Sequence, residues 1–210
     1  MIIVGAKGFA KQLVEIFFQK DQTEGLFFFD NVSTDIPDKL YDIPILRSMD
    51  MVKEIFTNQS PDFCLGMGTP AHRKQLADMF REAGGRLTSV ISSHAQIASH
   101  VKSIGSGVTI LDGVIIENDV TIGDGVLINS QCTIHHDSFI GNFSEISPGA
   151  RILGNCHLGN ECLIGANAVI LPKLTLHDQT IVGAGAVVTK NVSERTTVVG
   201  IPAKPFKPLR

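Results

Sequence analysis

The chain has no tryptophan and a single tyrosine. Its four cysteines, Cys64, Cys132, Cys156 and Cys162, form no C-x-x-C pair and show no metal-ligand spacing, which argues against zinc ribbons and dithiol redox chemistry. No apolar run approaches the ~18 residues that a membrane span requires. The opening Met1-Ile2-Ile3-Val4-Gly5-Ala6 lacks the basic flank and cleavage site of a secretory signal. Neither sign of charge dominates: a net charge of -3 gives no electrostatic reason to expect a nucleic acid or an anionic membrane as partner. These absences lead to the expectation of a soluble, cytoplasmic protein. A hydrophobic content of 43% against 19% charged residues excludes disorder and supplies a substantial core. At 210 residues there is room for two modest domains. The phenylalanines cluster before residue 64, so the two halves are built differently.

The second half is a repeat. From Ile104 to Ser193 the chain divides into consecutive hexads with no insertion or deletion. Every first position, from Ile104 and Ile110 through Ile134, Ile140 and Ile146 to Val182 and Val188, is aliphatic. The fifth positions, from Val108 and Val114 through Cys132, Ala150 and Cys162 to Val192, are small or β-branched almost throughout. A helix needs apolar spacings of three and four, and an alternating strand a spacing of two. Neither fits. A period of six describes a parallel coil in which three hexads, eighteen residues, close one triangular turn and each turn buries its inner face against its neighbours. Glycine often follows the aliphatic position (Gly105, Gly123, Gly141, Gly159, Gly165, Gly183), which suits corners of unusual φ/ψ. Cys132, Cys156 and Cys162 fall at inward fifth positions, where free cysteine packs as a small hydrophobe.

Residues 1–92 read as alternating strands and helices. Ile2-Ile3-Val4 is a strand that leads through Gly5-Ala6-Lys7-Gly8 into a helix over Ala10–Lys20. Leu26–Asp30 is a second strand, Met51–Phe56 is helical, and Asp62–Gly68 is a strand ending on glycines. A helix over Pro70–Ala83 and a last strand over Leu87–Ile91 complete a small, doubly wound, Rossmann-like parallel sheet. The domain boundaries expected are thus 1–92 for the α/β part, 93–193 for the coil and 194–210 for a C-terminal tail. Such sheets hold phosphate at the first turn, against a helix N-terminus. Gly5 and Gly8 lack the full G-x-G-x-x-G spacing, and a tight turn without a ligand is the alternative. Gly8, Asp30 and Gly68 nevertheless converge on the carboxyl edge of the sheet, which points to a nucleotide-type ligand.

Of seven histidines only His135 and His136 are adjacent, followed by Asp137. In the hexad frame these three lie at a corner, outside the core, where a histidine is often only a surface residue. Stacking by eighteen sets His136 over Asn118 and under Gly154, whose missing side chain leaves a gap through which a thioester chain can pass. Asp137 can orient the ring, and an ordinary imidazole, with a pKa of about 6.5, suits general-base work near neutral pH. A shared zinc site is the rival use of His135, His136 and His157, but no convincing third ligand is in reach, so no metal is expected.

The hexads, the His136-Asp137 pair and the closing Val198-Val199-Gly200-Ile201-Pro202-Ala203-Lys204 resemble the hexapeptide-repeat acyltransferases. Gly5-Ala6-Lys7-Gly8, Phe28-Phe29-Asp30-Asn31 and Leu65-Gly66-Met67-Gly68 are similar to the branch comprising sialic-acid O-acetyltransferases and bacillosamine or perosamine N-acetyltransferases. The resemblance spans nearly the whole chain. It implies a left-handed parallel β-helix, a homotrimer, and acetyl-CoA lying along the coil as co-substrate. It further implies that the first domain holds a nucleotide-linked amino sugar through Gly5, Lys7, Gly8, Asp30, Asn31 and Gly68. His136 is implied as the base that helps the C4 amine attack the thioester directly, with Asp137 as its acidic partner. Gly154, Ala166 and Ala184 match positions that line the CoA channel in relatives. Glu145 stands where some relatives bind acetyl-CoA with a histidine. Two other readings stay open at this point: O-acetylation of a sugar hydroxyl, which a histidine base serves equally, and a non-catalytic β-helix used as a binding module.

Overall fold

A computed structural model describes residues 1–206; the end of the tail expected over 194–210 lies outside the described residues. The chain divides into two compact units, residues 1–68 with 72–90, and residues 69–71 with 91 onward.

The first unit holds β1 (Ile2–Val4), α1 (Gly8–Gln19), β2 (Phe27–Phe29), β3 (Lys39–Leu40), β4 (Ile43–Leu46), α2 (Met49–Asn58), β5 (Asp62–Leu65), α3 (Pro70–Glu82) and β6 (Arg86–Leu87). Its six-stranded sheet runs β3-β4-β2-β1-β5-β6. All neighbours are parallel except the β3–β4 hairpin. The order reverses at β1, whose residues Ile2 and Val4 pair with Phe27 and Phe29 on one side and with Phe63 and Leu65 on the other. Buried phenylalanines make this core: the Phe80 ring lies 5.1 Å from both Phe29 and Phe63, a spacing that favours edge-on and tilted packing. The hairpin was not foreseen. Lys39–Leu40 is too short to show a period, and the apolar run Ile43-Pro44-Ile45-Leu46 that makes the other strand is interrupted by a proline.

The second unit is a left-handed parallel β-helix in three sheets. Its strands are two residues long except Thr197–Val199, which lies in the expected tail yet pairs parallel with Ile181–Val182. Register confirms the eighteen-residue turn: Ile116 pairs with Ile134, Ile122 with Ile140, and Ile146 with Ile164. The inward aliphatic and small residues form one continuous core that includes Cys132 and Cys156. Polar residues at inward positions are satisfied. The Ser144 hydroxyl donates to Gly159 O at 2.9 Å and accepts from Cys162 N at 3.0 Å, as a buried hydroxyl requires. The coil begins earlier than the hexad frame suggests. The strand Val90–Ile91, expected within the last strand of the α/β sheet, belongs to a coil sheet instead, while the α/β sheet ends at Arg86–Leu87. Gln96–Ile97 pairs with Ile115–Ile116. That pairing is offset by nineteen residues rather than eighteen, and the extra residue hides this rung from a strict period of six.

The corners differ from expectation. Left-handed φ is adopted by the fourth residue of each hexad from Gly107 to Gly185, including Asp119, Gln131, Asp137, Phe143, Asn155 and Lys173. The glycines that follow the aliphatic position do not carry it. Space is their reason instead: a Cβ on Gly123 would stand 2.5 Å from Asn142 Oδ1 and one on Gly159 2.3 Å from Asp178 Oδ1. Those oxygens belong to a ladder up one corner, in which Asn142 accepts from Asp124 N, Asn160 from Asn142 N and Asp178 from Asn160 N at 2.8–2.9 Å.

Candidate active site

The coil brings together His135, His136, Asp137 and Glu117. Backbone hydrogen bonding stacks this corner: His135 N donates to Ile152 O, Glu117 N to Ile134 O and Asn155 N to His136 O, each at 2.9 Å. Asp137, with φ 59° like the other fourth positions, turns its carboxylate back so that Oδ2 lies 2.8 Å from His136 Nδ1. A carboxylate accepts only, so Nδ1 carries a proton, and in the neutral ring the lone pair is on Nε2. The ring lies against Gly154: a Cβ there would be 2.7 Å from both Cε1 and Nε2. The expected gap over Gly154 is therefore occupied by the imidazole itself. The glycine makes room for the ring rather than leaving a passage beside it.

Glu117 was not singled out from the sequence. Its Oε2 accepts from His136 N at 2.9 Å, and its Oε1 lies 2.9 Å from His135 Nδ1. Only the coil geometry shows that a glutamate nineteen residues earlier holds the backbone of His136. Chemically the corner can take a proton at Nε2 while Asp137 stabilises the imidazolium that results. Among the described residues no group of three or more histidine, cysteine or acidic side chains is placed to hold a metal ion.

The other expected coil residues lie elsewhere. Ala166 and Ala184 share a different corner, one turn apart, where Gly185 N donates to Ala166 O at 2.8 Å. Glu145 sits in the sheet between Leu127 and Leu163, half-buried, and accepts from the Ser147 hydroxyl at 3.3 Å. Gly154 is the one of the three expected channel residues that touches His136.

In the first unit, Ala6, Lys7, Gly8 and Lys11 line a hollow together with Asp35 and Ile36. Lys7 precedes α1, whose N-terminus has no side-chain cap and no acid in its first turn. Open space lies where a Cβ on Gly8 would be. Gly5 N donates to Phe29 O at 2.7 Å, which ties the β1–α1 turn to the end of β2. Lys7 Nζ pairs with Asp35 at 2.8 Å. Asp30 is committed to its own loop. It accepts from the amides of Val32 and Ser33 and from the Ser33 hydroxyl. Burial alone would raise its pKa, but the Ser33 and Val32 amides, the Ser33 hydroxyl and nearby Arg47 outweigh it and hold the carboxyl below the usual range. Asn31 lies beside Asp30 on the rim of a neighbouring depression.

Two arginines that sequence reading passed over shape these loops. Arg47 donates to the carbonyls of Asp30, Ser33, Ile36 and Pro37 at 2.8–3.2 Å. The fully buried Arg73 donates to Leu65 O at 3.1 Å and Met67 O at 2.7 Å, fixing the segment that ends at Gly68. Both bind backbone, and no residue pattern announces such a partner.

The fold and this corner define an acyltransferase of the hexapeptide-repeat class. The bacterial transferase hexapeptide family (six repeats) matches residues 101–136, 137–172 and 155–190, and the PglD N-terminal domain family matches residues 1–80. The chain thus joins a PglD-type N-terminal domain to bacterial transferase hexapeptide repeats. Among solved structures it is similar to PerB from Caulobacter crescentus in complex with CoA and GDP-perosamine. That match has 26% identity and a TM-score of 0.90, covering 98% of this chain and 96% of that one. The acetyltransferase domain of PglB from Neisseria gonorrhoeae in complex with acetyl coenzyme A matches at 26% identity and a TM-score of 0.86, covering 98% of each chain. WeeI from Acinetobacter baumannii matches at 27% identity and a TM-score of 0.87, covering 98% of this chain and 100% of that one. No curated protein matched in a sequence search.

Proposed function

We propose that this protein transfers the acetyl group of acetyl-CoA to the C4 amine of a nucleotide-linked amino-dideoxy sugar, for a bacterial surface glycan, with His136 as general base and Asp137 as its partner. The observation that carries the reading is the 2.8 Å contact between Asp137 Oδ2 and His136 Nδ1, which leaves Nε2 free to take a proton. The amine attacks the thioester carbonyl, its proton passes to Nε2, and the C–S bond breaks to release CoA as the thiol once it is reprotonated. No covalent enzyme intermediate is required. Holding the two substrates in contact contributes much of the acceleration.

In this reading the uncapped N-terminus of α1 receives the diphosphate, beside Lys7 and Gly8 and in line with Gly5 and Gly68. Asp30 and Asn31 shape the wall for the nucleoside. Ala166, Ala184 and Glu145 flank the path of CoA along the coil, and Gly154 seats the His136 ring at its reacting end. Ala166 and Ala184 lie at a different corner from His136, which fits a homotrimer in which one channel draws on two chains. The complexes of PerB with CoA and GDP-perosamine and of the PglB domain with acetyl coenzyme A support the choice of donor and acceptor class.

The test is CoA release from acetyl-CoA with a panel of UDP-, GDP- and dTDP-linked 4-amino sugars, wild type beside His136→Ala. Turnover that needs an amino sugar and disappears in the variant is expected. A folded His136→Ala protein that retains full activity removes the mechanism, and silence of the wild type across the panel removes the acceptor.

A further inference from the structure

Below His136 on the coil lies a hollow of about 370 Å³, lined by Gln96, Ile115, Glu117, Asn118 and His136, with Ile116 among its apolar neighbours. No lysine or arginine is among its lining residues, and the one fixed charge there is the Glu117 carboxylate. The Glu117 side chain is 38% exposed. Each of its oxygens already accepts one hydrogen bond, from His136 N and from His135, and each can accept a second. An anionic hollow next to a general base offers nothing to an acetyl thioester and repels the phosphates of CoA. It attracts a cation.

We infer that Glu117 is a specificity-determining residue, which holds the acceptor sugar by its ammonium group and so selects an amine over a hydroxyl acceptor. The inference rests on the acyl-transfer reading above and deepens it, because a histidine base alone serves both kinds of acceptor. Glu117 accepts a charge-assisted hydrogen bond from R–NH₃⁺ and places the nitrogen within the hollow that His136 borders. One proton leaves the ammonium to solvent before attack. The neutral amine then forms the N–C bond, its second proton goes to His136 Nε2, and the C–S bond breaks with return of that proton to sulfur. The sum is R–NH₃⁺ plus acetyl-CoA giving R–NH–acetyl, CoA thiol and H⁺. A hydroxyl acceptor forms no charged contact with Glu117.

Calorimetric titration with matched pairs tests this: GDP-, UDP- and dTDP-linked 4-amino-4,6-dideoxy sugars against the corresponding 6-deoxy sugars with a C4 hydroxyl. The wild type is expected to bind one amino member about ten-fold or more tighter than its hydroxyl counterpart, as a charge-assisted bond implies. Glu117→Gln should bring that ratio close to one, and Glu117→Asp, which keeps the charge, should restore part of it. Equal wild-type affinities, or a ratio unchanged in Glu117→Gln, overturns the inference. CoA release measured on the same samples separates the two levels. A wild type that acetylates an amino sugar while Glu117→Gln keeps the preference sinks the role of Glu117 alone. A wild type that binds no nucleotide sugar of any pair sinks the acyl-transfer reading with it.

Discussion

Asp137 and His136 are sequence neighbours whose side chains meet at 2.8 Å because Asp137 adopts φ 59°, the conformation that the coil gives to the fourth residue of its hexads. Backbone and carboxylate can therefore be separated by mutation. Asp137→Gly keeps the left-handed corner at no steric cost and removes only the acceptor at Nδ1. Thermal unfolding should be nearly unchanged, while kcat falls on the order of ten- to a hundred-fold as the imidazole loses its fixed tautomer. A variant that unfolds, or one with undiminished kcat, contradicts this division of roles.

Gly154 acts through space. Its φ lies outside the left-handed region, so alanine is tolerated by the backbone, but the new methyl would stand 2.7 Å from Nε2 and Cε1 of His136. The ring must swing off the Asp137 carboxylate. Displacement of a reacting group by about 1 Å costs on the order of a hundred-fold in rate, so Gly154→Ala should be a folded, nearly inactive protein. Wild-type kcat in Gly154→Ala would mean that the ring has another productive position.

The thiols should be silent. Burial pushes the Cys64 thiol up to about 12, and Cys132 and Cys162 up to about 11, against partial relief from nearby amides and, for Cys64, from Arg73. Cys156 is raised in the same way by burial. A thiolate is the reacting species, so a disulfide reagent at pH 8 should label no cysteine in the native protein and all four after denaturation. Rapid labelling of any one in the native state would show an opening that the coil does not display.

How much of this was legible in the sequence differs by element. The coil was, because an aliphatic residue every six positions from Ile104 to Val188 has one physical solution. The βα order of the first unit was legible from its short apolar runs and glycines. Gln96–Ile97 lies within the expected coil bounds of 93–193 but outside the hexad frame, because its pairing is offset by one residue from the later period. Left-handed corners were assigned to the wrong hexad position. Asp, Asn, Gln, Glu, Lys and Phe hold φ near 60° there as well as glycine, so composition does not mark the site. His136 and Asp137 stood out by adjacency. Glu117, Arg47 and Arg73 did not, since each acts on backbone groups whose positions only the folded chain defines.

Acid should weaken the first unit. Asp62 is held below the usual carboxylate range first by the Arg86 guanidinium, at 2.6 Å, and also by the hydroxyls of Thr88 and Ser60, against a burial effect that raises it. A carboxyl with a lowered folded-state pKa adds stability that is fully present above its unfolded value and is lost as pH falls through the folded one. Urea unfolding between pH 7 and pH 3 should therefore show a loss below about pH 4 that is smaller in Asp62→Asn. At pH 7 the variant should be less stable by no more than about 1 kcal/mol, since Arg86 is largely exposed. Parallel curves for the two proteins would place the acid sensitivity elsewhere.

Two glycines at equivalent corners separate strain from crowding. Gly113 and Gly125 have φ of 69° and 64°, so alanine at either meets the same left-handed penalty, about 1 kcal/mol. Their surroundings differ. The nearest atom to a Cβ on Gly113 would be Gln131 Cγ at 3.5 Å, an ordinary contact, whereas a Cβ on Gly125 would stand 2.4 Å from the Phe143 ring. Phe143 is only 7% exposed, so its ring has little freedom to retreat. Gly113→Ala should therefore cost about 1 kcal/mol, and Gly125→Ala about 1–3 kcal/mol more, the usual penalty of overpacking. Denaturant unfolding of both variants, and of Gly125→Ala combined with Phe143→Ala, checks the assignment. Measured against Phe143→Ala alone, adding Gly125→Ala should cost only about the 1 kcal/mol of Gly113→Ala, because the crowding partner is gone and only the backbone strain remains. Equal costs for the two single variants would mean that the Phe143 ring moves freely despite its burial.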